Sequence, residues 1–251
     1  MKNILKQSPW LLLILCILLS VGCTGNNSVK PISKSQEEML RSKYEVLLFN
    51  HLRTRGEWPL DKRFRSIKQM ADEGFESAAL ALKLFDIEHS DLKRNDASAQ
   101  KRLEQLAEQG NPTAQCLYAF YWEHYNFQDE RGERWRRYVT QASNHGVAHC
   151  MHLRAISLER NHLNEQINLK FEAAHKGDLY AQSGMAFYYE KGLGVEKDLA
   201  KATCWAIEAQ KSNTDWGRGL YKDMAFFYTQ ENPNGLQKLT PEFCNAAISV
   251  R

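Results

Sequence analysis

Four side chains that commonly bind metal ions lie within eight residues: His145, His149, Cys150 and His152. Imidazole and thiol groups at such short spacing suggest a zinc site. However, Gly146 is expected to end a helix between His145 and the other three, and Cys150 falls where other parts of the chain place a small core residue. Two histidines on one helical face make a weak site. We therefore predict no metal site, but surface histidines beside a buried cysteine.

A second pattern suggests acyl transfer. Residues 90–93, Ser-Asp-Leu-Lys, match the Ser-x-x-Lys motif of penicillin-recognising enzymes, but no Lys-Thr-Gly follows, and the segment is predicted to be a turn between helices. We find no other catalytic combination of residues. The sequence therefore predicts that the protein is not an enzyme and uses no cofactor.

A third pattern is a basic run around Trp135, formed by Arg131, Arg134, Arg136 and Arg137. It could meet an acidic partner or lipid headgroups. The same pattern is typical of a solvated helix face, and Glu130 and Glu133 reduce its charge. The net charge of the whole chain is only +3, which does not support nucleic-acid binding.

Helices must position all these residues, and the clearest pair lies in residues 173–210. The spacings i, i+4 and i+7 place Ala181, Met185 and Tyr188 on one face of a first helix, and Ala202, Trp205 and Ala209 on one face of a second. We expect Trp205 to fill the gap between the two helices. The Gly192-Leu193-Gly194 turn supplies the positive φ that a tight helix stop needs, and Asp198 can cap the second helix.

This stretch resembles the Sel-one-like repeat, a relative of the tetratricopeptide repeat. The matching positions are Gly177, Ala181, Gln182, Tyr189, Gly192, Gly194, Val195, Asp198, Ala202, Trp205 and Ala209. Met185 and Ala186 stand where the family usually has Leu and Gly, and each is similar in size to the residue that it replaces. The resemblance implies an all-α fold, a right-handed α-solenoid of helix-turn-helix units.

The small-x-x-Gly-x-x-x-small pattern recurs along the chain at glycine intervals of 36, 36 and 31 residues, which indicates a solenoid. The copies are Ala71-Gly74-Ala78, Ala107-Gly110-Ala114, Ser143-Gly146-Cys150 and Ala174-Gly177-Ala181. A fifth unit is degenerate, with Asn213 in place of the glycine. Atypical helices are predicted at both ends: residues 36–53, with Met39, Tyr44, Leu47 and Leu48 on one side, residues 60–73, and residues 242–250, which follow Pro241.

The N-terminus has the features of an export signal. Two lysines precede the apolar run 10–19, which is too short for a comfortable membrane span. Ser20-Val21-Gly22-Cys23 resembles the bacterial lipobox, so we expect a signal peptide at 1–22, lipidation of Cys23, a flexible tether at 23–35 and the solenoid at 36–251. Thr24, where an inner-membrane retention signal has Asp, implies an outer-membrane anchor facing the periplasm.

Four further cysteines, Cys116, Cys150, Cys204 and Cys244, allow three connectivities in an oxidising periplasm. Cys204 and Cys244 fall in second helices of adjacent units and are the preferred pair. Cys116 and Cys150 lie on adjacent first helices, at offsets six and four from their glycines. We expect those two to point in different directions and not to form a bridge.

By resemblance to tetratricopeptide arrays, the first helix of each unit lines the concave face, with inward positions at offsets 3, 6, 10, 13 and 14 from the glycine. The predicted protein-binding residues are Phe120, Glu123, His124, His149, His152, Glu159, Arg160, Tyr180, Phe187, Glu190 and Lys191. The alternative is that Phe120 and Phe187 only pack between repeats, and that an edge or the convex side binds the partner.

These features predict a periplasmic, outer-membrane-anchored protein that binds another protein. Lipid-tethered proteins of this repeat type serve as immunity proteins, so by analogy the partner is a secreted toxic effector such as a type VI secretion phospholipase. The alternative is an envelope scaffold or adaptor for secretion or maintenance. An enzyme acting on β-lactams or peptidoglycan is a third, less favoured class.

Overall fold

A computed structural model describes residues 33–53, 60–85, 96–122, 130–158, 162–212 and 214–250. Cys23, the predicted signal and the Ser90–Lys93 motif lie outside these ranges. Within them all regular elements are helices, and none is long and apolar enough to cross a membrane. The helices are α1 (Lys34–Arg53), α2 (Leu60–Asp72), α3 (Glu76–Leu84), α4 (Ala97–Glu108), α5 (Pro112–Trp122), α6 (Glu130–Asn144), α7 (Ala148–Ser157), α8 (Leu163–His175), α9 (Leu179–Lys191), α10 (Leu199–Gln210), α11 (Asp215–Glu231), a 3₁₀ turn (Leu236–Lys238) and α12 (Pro241–Ile248).

Each of the first four repeats begins at a glycine that ends the preceding helix. At Gly110 the φ angle is 86°, its N–H donates to the Ala107 carbonyl, and the N–H of Asn111 donates to the Leu106 carbonyl. This pair of bonds is the Schellman motif, which needs a left-handed residue at its turn. The same pair occurs at the other three repeat glycines. The helices therefore pair as α3–α4, α5–α6, α7–α8 and α9–α10, and both α11 and α12 pack against α10. The predicted α-solenoid is confirmed.

Small residues let neighbouring repeats approach closely. The side chains four positions after the glycines, Ala78, Ala114, Cys150 and Ala181, are all fully buried. Trp205 is 1% exposed, as predicted for a core residue. The rings that it contacts, Phe171 and His175, belong to α8 of the preceding repeat. Trp205 therefore packs across a repeat boundary as well as within its own unit.

The predicted apolar face of α1 is wrong at two positions. Met39 and Leu47 are exposed, whereas Leu48 and Phe49 are fully buried. The reason is that α1 is covered on more than one side. His51 bonds to Ser66 on α2 at 2.9 Å, while other side chains of α1 contact the repeats. A helix enclosed in this way does not show the single stripe from which we predicted its orientation.

Two disulfides tie the array together. The preferred Cys204–Cys244 pair is bonded and joins α10 to α12. Cys116 and Cys150 are also bonded, joining α5 to α7, so the expectation that they point apart is wrong. Successive repeats stack head to tail, so opposite faces of equivalent helices meet. Positions whose offsets differ by two residues lie about 200° apart around a helix. Cys116 at offset six and Cys150 at offset four therefore lie on nearly opposite faces of their helices, which is what a contact between stacked repeats requires.

Candidate binding face

The inward positions of the first helices are partly covered by α1, the first helix of the described residues. Helix α1 lies against the starting turns of α5, α7 and α9. At α5, the Thr113 hydroxyl donates to Glu45 Oε2 at 2.5 Å, and Arg41 Nε holds the same oxygen at 2.7 Å. At the turn before α7, Arg41 Nη2 donates to the His145 carbonyl at 2.8 Å. Glu45 is therefore buried, and its Oε2 accepts two hydrogen bonds.

Phe49 is the centre of this contact. Its ring stacks on His149, with centroids 5.0 Å apart, and meets the edge of Phe120 at 6.4 Å. Phe85 closes the other side of Phe120 at 5.4 Å. Phe120 and His149 are therefore buried, at 4% and 2% exposure. A partner cannot reach these two predicted binding residues while α1 is in place.

The end of α1 is fixed to the start of α9. The Asn50 amide donates to the Gly177 carbonyl at 2.9 Å and accepts from the Leu179 N–H at 3.1 Å. The Arg53 guanidinium lies 4.9 Å from the centre of the Tyr180 ring, and the Tyr180 hydroxyl donates to the Arg53 carbonyl at 3.2 Å. These contacts place the last turn of α1 directly on Tyr180, another predicted binding residue.

A buried polar cluster lies under α1. His149 Nδ1 is 3.1 Å from Asp178 Oδ2, and Arg53 Nη1 is 3.5 Å from His149 Nε2. With its hydrogen on Nδ1, the His149 ring donates to Asp178 and accepts from Arg53. Asp178 also caps α9 by accepting the Ala181 N–H at 2.8 Å. Burial disfavours the charged carboxylate, but the hydrogen bond and electrostatic interaction with His149 outweigh it, with smaller contributions from His152 and the Ala181 N–H, and hold the pKa of Asp178 at about 2.

His152 and His51 are also enclosed. Burial lowers the pKa of His152 to about 3 and, with the positive charges of Arg63 and Lys62, that of His51 to about 4. Both imidazoles are therefore neutral at pH 7. The prediction of surface histidines is wrong for both His149 and His152. The His149 ring is covered by Phe49 of α1, and the His152 ring lies 6.2 Å from the ring of Tyr180 on α9. Cys150 is in a disulfide, and in the described ranges no group of three or more His, Cys, Asp or Glu side chains could hold a metal ion.

Away from the contacts of α1, some inward positions are open. Phe187 on α9 is 46% exposed, and Lys191 is exposed and paired with Glu190 at 2.6 Å. Ile156, at the corresponding offset of ten on α7, is 50% exposed. The same offset rule selects Ile156, although we did not include it among the predicted residues. Glu123, His124, Glu159 and Arg160 lie outside the described residues, so their predicted roles stay predictions.

The sequence analysis also missed residues on α11. Trp216 stacks on Tyr180, with centroids 6.2 Å apart, and its Nε1 donates to the Ser183 hydroxyl at 2.9 Å. Counting from Asn213, the offsets of 3, 13 and 14 select Trp216, Phe226 and Phe227. The offset rule could have found these residues, but the degenerate unit has Asn213 in place of the glycine, and we did not count offsets from it.

The arginine-rich helix α6 faces its preceding repeat. Arg137 Nη2 lies 3.2 Å from Glu108 Oε1, and Arg134 Nη1 lies 3.9 Å from Glu104 Oε1, both on α4. Trp135 is buried, and its Nε1 donates to the Ala119 carbonyl at 3.2 Å. These exposed ion pairs favour the interpretation as a solvated helix face over a binding site for an acidic partner.

Neither a protein-family model nor a curated protein matches this chain. Among solved structures, the chain is similar to a protective antigen present in uropathogenic Escherichia coli strains, described as displaying an SLR fold. The two are 20% identical with a TM-score of 0.53, over 75% of this chain and 42% of the antigen, so this chain spans less than half of that protein's length. A Sel1 repeat protein from Oxalobacter formigenes is 24% identical over 71% of this chain and 56% of its own, with a TM-score of 0.37. The helix pairs, their glycine turns and the likeness to the antigen together show that this chain has the Sel1-like repeat (SLR) fold.

Proposed function

We propose that this chain is an exported, lipid-anchored solenoid that binds another protein at the open part of its inward face. The observation that carries the proposal is the exposed Phe187, which lies between the end of α1 and the Glu190–Lys191 ion pair. An aromatic side chain surrounded by polar groups is typical of the centre of a protein-binding site. Ile156 extends the apolar area onto α7.

The two disulfides support export. Cys116–Cys150 and Cys204–Cys244 link segments 34 and 40 residues apart, and all four cysteines are buried. Structural disulfides form in oxidising compartments and are rare in the cytosol. Together with the lipobox-like Cys23, they favour a periplasmic location at the outer membrane. Replacing Cys23 by Ser should abolish palmitate labelling, because the thiol carries the lipid; label retained in that variant would contradict the anchor.

Within this class, we propose that the partner is a secreted toxic effector and that the chain is its immunity lipoprotein. The support is the analogy to lipid-tethered repeat proteins with this role, together with a binding surface of limited size. A bacterium lacking the gene should become sensitive to sister cells that deliver the effector, and wild-type protein should restore protection. Unchanged survival, with an envelope-assembly factor recovered as the partner, would favour the scaffold function instead.

The surface is tested with a pair of variants. Phe187→Glu should weaken the partner by at least about tenfold, equivalent to about 1.4 kcal/mol, because it puts a charge into an apolar contact. Met39→Glu, which changes a side chain of 58% exposure on α1, is the matched control and should bind normally. Calorimetric titration with the partner recovered from periplasm measures both. Equal affinity of the two variants would move the site away from α9.

A further inference from the structure

Lys170 on α8 reaches across the repeat boundary onto α9. Its side chain lies against Gly184, since a Cβ built on that glycine would be 3.2 Å from both Cδ and Nζ of the lysine. The ammonium is 4.8 Å from the centre of the Tyr188 ring. Glycine inside a helix is destabilising relative to alanine, so its presence needs a reason. The room that Gly184 leaves for the lysine side chain supplies that reason.

The positive charge of Lys170 is not balanced within the described part of the chain. On α7, Arg154 pairs with Glu165. On α9, Lys191 pairs with Glu190. Among the described residues, however, no carboxylate oxygen lies within 4.0 Å of Lys170 Nζ. Lys170 is also only partly exposed, so water solvates its side chain incompletely. A cation held in this way is suited to accept a carboxylate from another molecule.

The lysine meets α9 on the side that carries the proposed binding surface. At 100° per residue, one arc of about 100° around this helix holds Tyr180, Gly184, Phe187, Tyr188 and Lys191. We call it the α9 arc. None of its residues is acidic, and Glu190 lies about 60° outside it. Phe187 is 46% exposed. The α9 arc therefore combines an exposed apolar side chain with a positive charge that has no carboxylate partner.

Arg53, at the end of α1, brings a second positive charge to the α9 arc. Its guanidinium lies 4.9 Å from the centre of the Tyr180 ring. Both cations also act on a common neighbour, His152. Burial is the main cause of its low pKa of about 3, and Lys170 and Arg53 are among the positive charges that lower this pKa further, against the attraction of Asp178. The two cations therefore lie on the same side of α9, near one buried ring.

We propose that the partner docks on the α9 arc with an acidic segment, which places an apolar side chain on Phe187 and a carboxylate on Lys170. This inference rests on the proposed function and adds the chemistry of the partner. Charge complementarity selects an acidic protein segment as the occupant. A membrane surface fits less well, because anionic lipid is bound by clusters of about four to eight lysine and arginine residues. Here two partly buried cations each lie over a tyrosine ring.

Fluorescence anisotropy of the full chain in detergent, with a defined peptide, tests this preference. The probe is a capped, fluorescein-labelled peptide of Leu-Glu-Glu units, compared with the matched peptide of Leu-Gln-Gln units. Wild type should bind the glutamate peptide at least about tenfold more tightly, and added salt should reduce the difference. Lys170→Met removes the ammonium but keeps an apolar side chain against Gly184. It should weaken binding of the glutamate peptide about fivefold and leave that of the glutamine peptide unchanged.

Lys101→Met, the same change at an exposed lysine on α4, is the matched control and should bind both peptides as wild type does. Equal affinity of wild type for the two peptides overturns the proposal. Equal binding of the glutamate peptide by Lys170→Met and Lys101→Met overturns it too, because the preference would then come from another surface.

Vesicles of phosphatidylglycerol test the other source of negative charge. Wild type that sediments with them, when Lys170→Met does not and neither peptide is preferred, would assign the cations to lipid headgroups and overturn the proposal. The proposed function fails on a separate measurement, which is an unchanged affinity of Phe187→Glu for the partner recovered from periplasm. The peptide titration needs no such partner, so the two failures can be told apart.

Discussion

Phe49→Ala should test whether α1 is an integral part of the repeat array. The ring is 1% exposed and lies between His149 and Phe120, on helices α7 and α5. Removing a buried phenylalanine costs about 3–5 kcal/mol, since contacts are lost and a cavity remains. For a domain of this size, each kcal/mol lowers the melting temperature by about 2–4 °C. The expected decrease is therefore roughly 6–20 °C.

Thermal unfolding followed by circular dichroism, with the disulfides intact, measures this decrease. Leu47→Ala is the matched control, because Leu47 lies on the same helix but is 42% exposed. Its effect should stay within about 0.5 kcal/mol, as is usual for surface substitutions. Native-state hydrogen exchange adds a local measure. In Phe49→Ala, the backbone amides at the starts of α7 and α9 should exchange faster than in wild type.

Melting temperatures that fall equally and slightly in both variants would show that α1 is not packed against the repeats. The same conclusion would follow if exchange at the starts of α7 and α9 were unchanged. The inward positions of the middle repeats would then be accessible, and Phe120, His149 and His152 would return as candidate contacts for a partner. In that case α1 would no longer limit the proposed binding surface around Phe187.

Three further predictions concern stability. Trp205→Ala should lower the free energy of unfolding by about 3–5 kcal/mol in denaturant titration, and an unchanged midpoint would mean that Trp205 is exposed. Loss of each disulfide should lower the free energy of unfolding by about 2–4 kcal/mol. Cys204→Ser and Cys116→Ser measure the two bridges separately. A variant as stable as wild type would show that its bridge does not stabilise the fold. Stability should also fall as the pH drops from about 6.5 to about 3. Burial places the folded-state pKa values of His51 and His152 below the unfolded value of 6.5, so the unfolded state binds more protons in this range. His152→Asn should flatten the pH profile, and an equally steep profile in that variant would contradict the assignment.

The fold followed from local rules that act within about six residues. A glycine with a small residue four positions later determines where one helix ends and the next can approach, and the structure places Gly110 and Ala114 accordingly. Asp198 caps α10 by accepting the Lys201 N–H at 2.9 Å, also as predicted. Such rules depend on backbone geometry near one residue, so they can be derived from a single sequence.

Two long-range features of the structure could not be predicted from the sequence. The Cys116–Cys150 bridge depends on the rotation between successive repeats, which joins unlike offsets and cannot be derived from one unit. The position of α1 depends on contacts across more than a hundred residues, such as that of Asn50 with the turn at Gly177. Polar residues make many of these contacts, and a hydrophobic pattern in the sequence does not predict them. A pattern search therefore predicts that α1 is a helix but not where it packs.

What covers each inward position explains why the offset rule succeeds in some repeats and fails in others. Phe120 and Phe187 have the same offset of ten, yet Phe120 is 4% exposed and Phe187 is 46% exposed. The reason is that Phe49 of α1 and Phe85 both pack against the Phe120 ring. Ile156, at the same offset on α7, is 50% exposed, so exposure does not simply follow the order of the repeats. Where a side chain of α1 reaches an inward position, that position completes a core. The exposed inward positions on α7 and α9 are therefore the ones to which we assign partner binding.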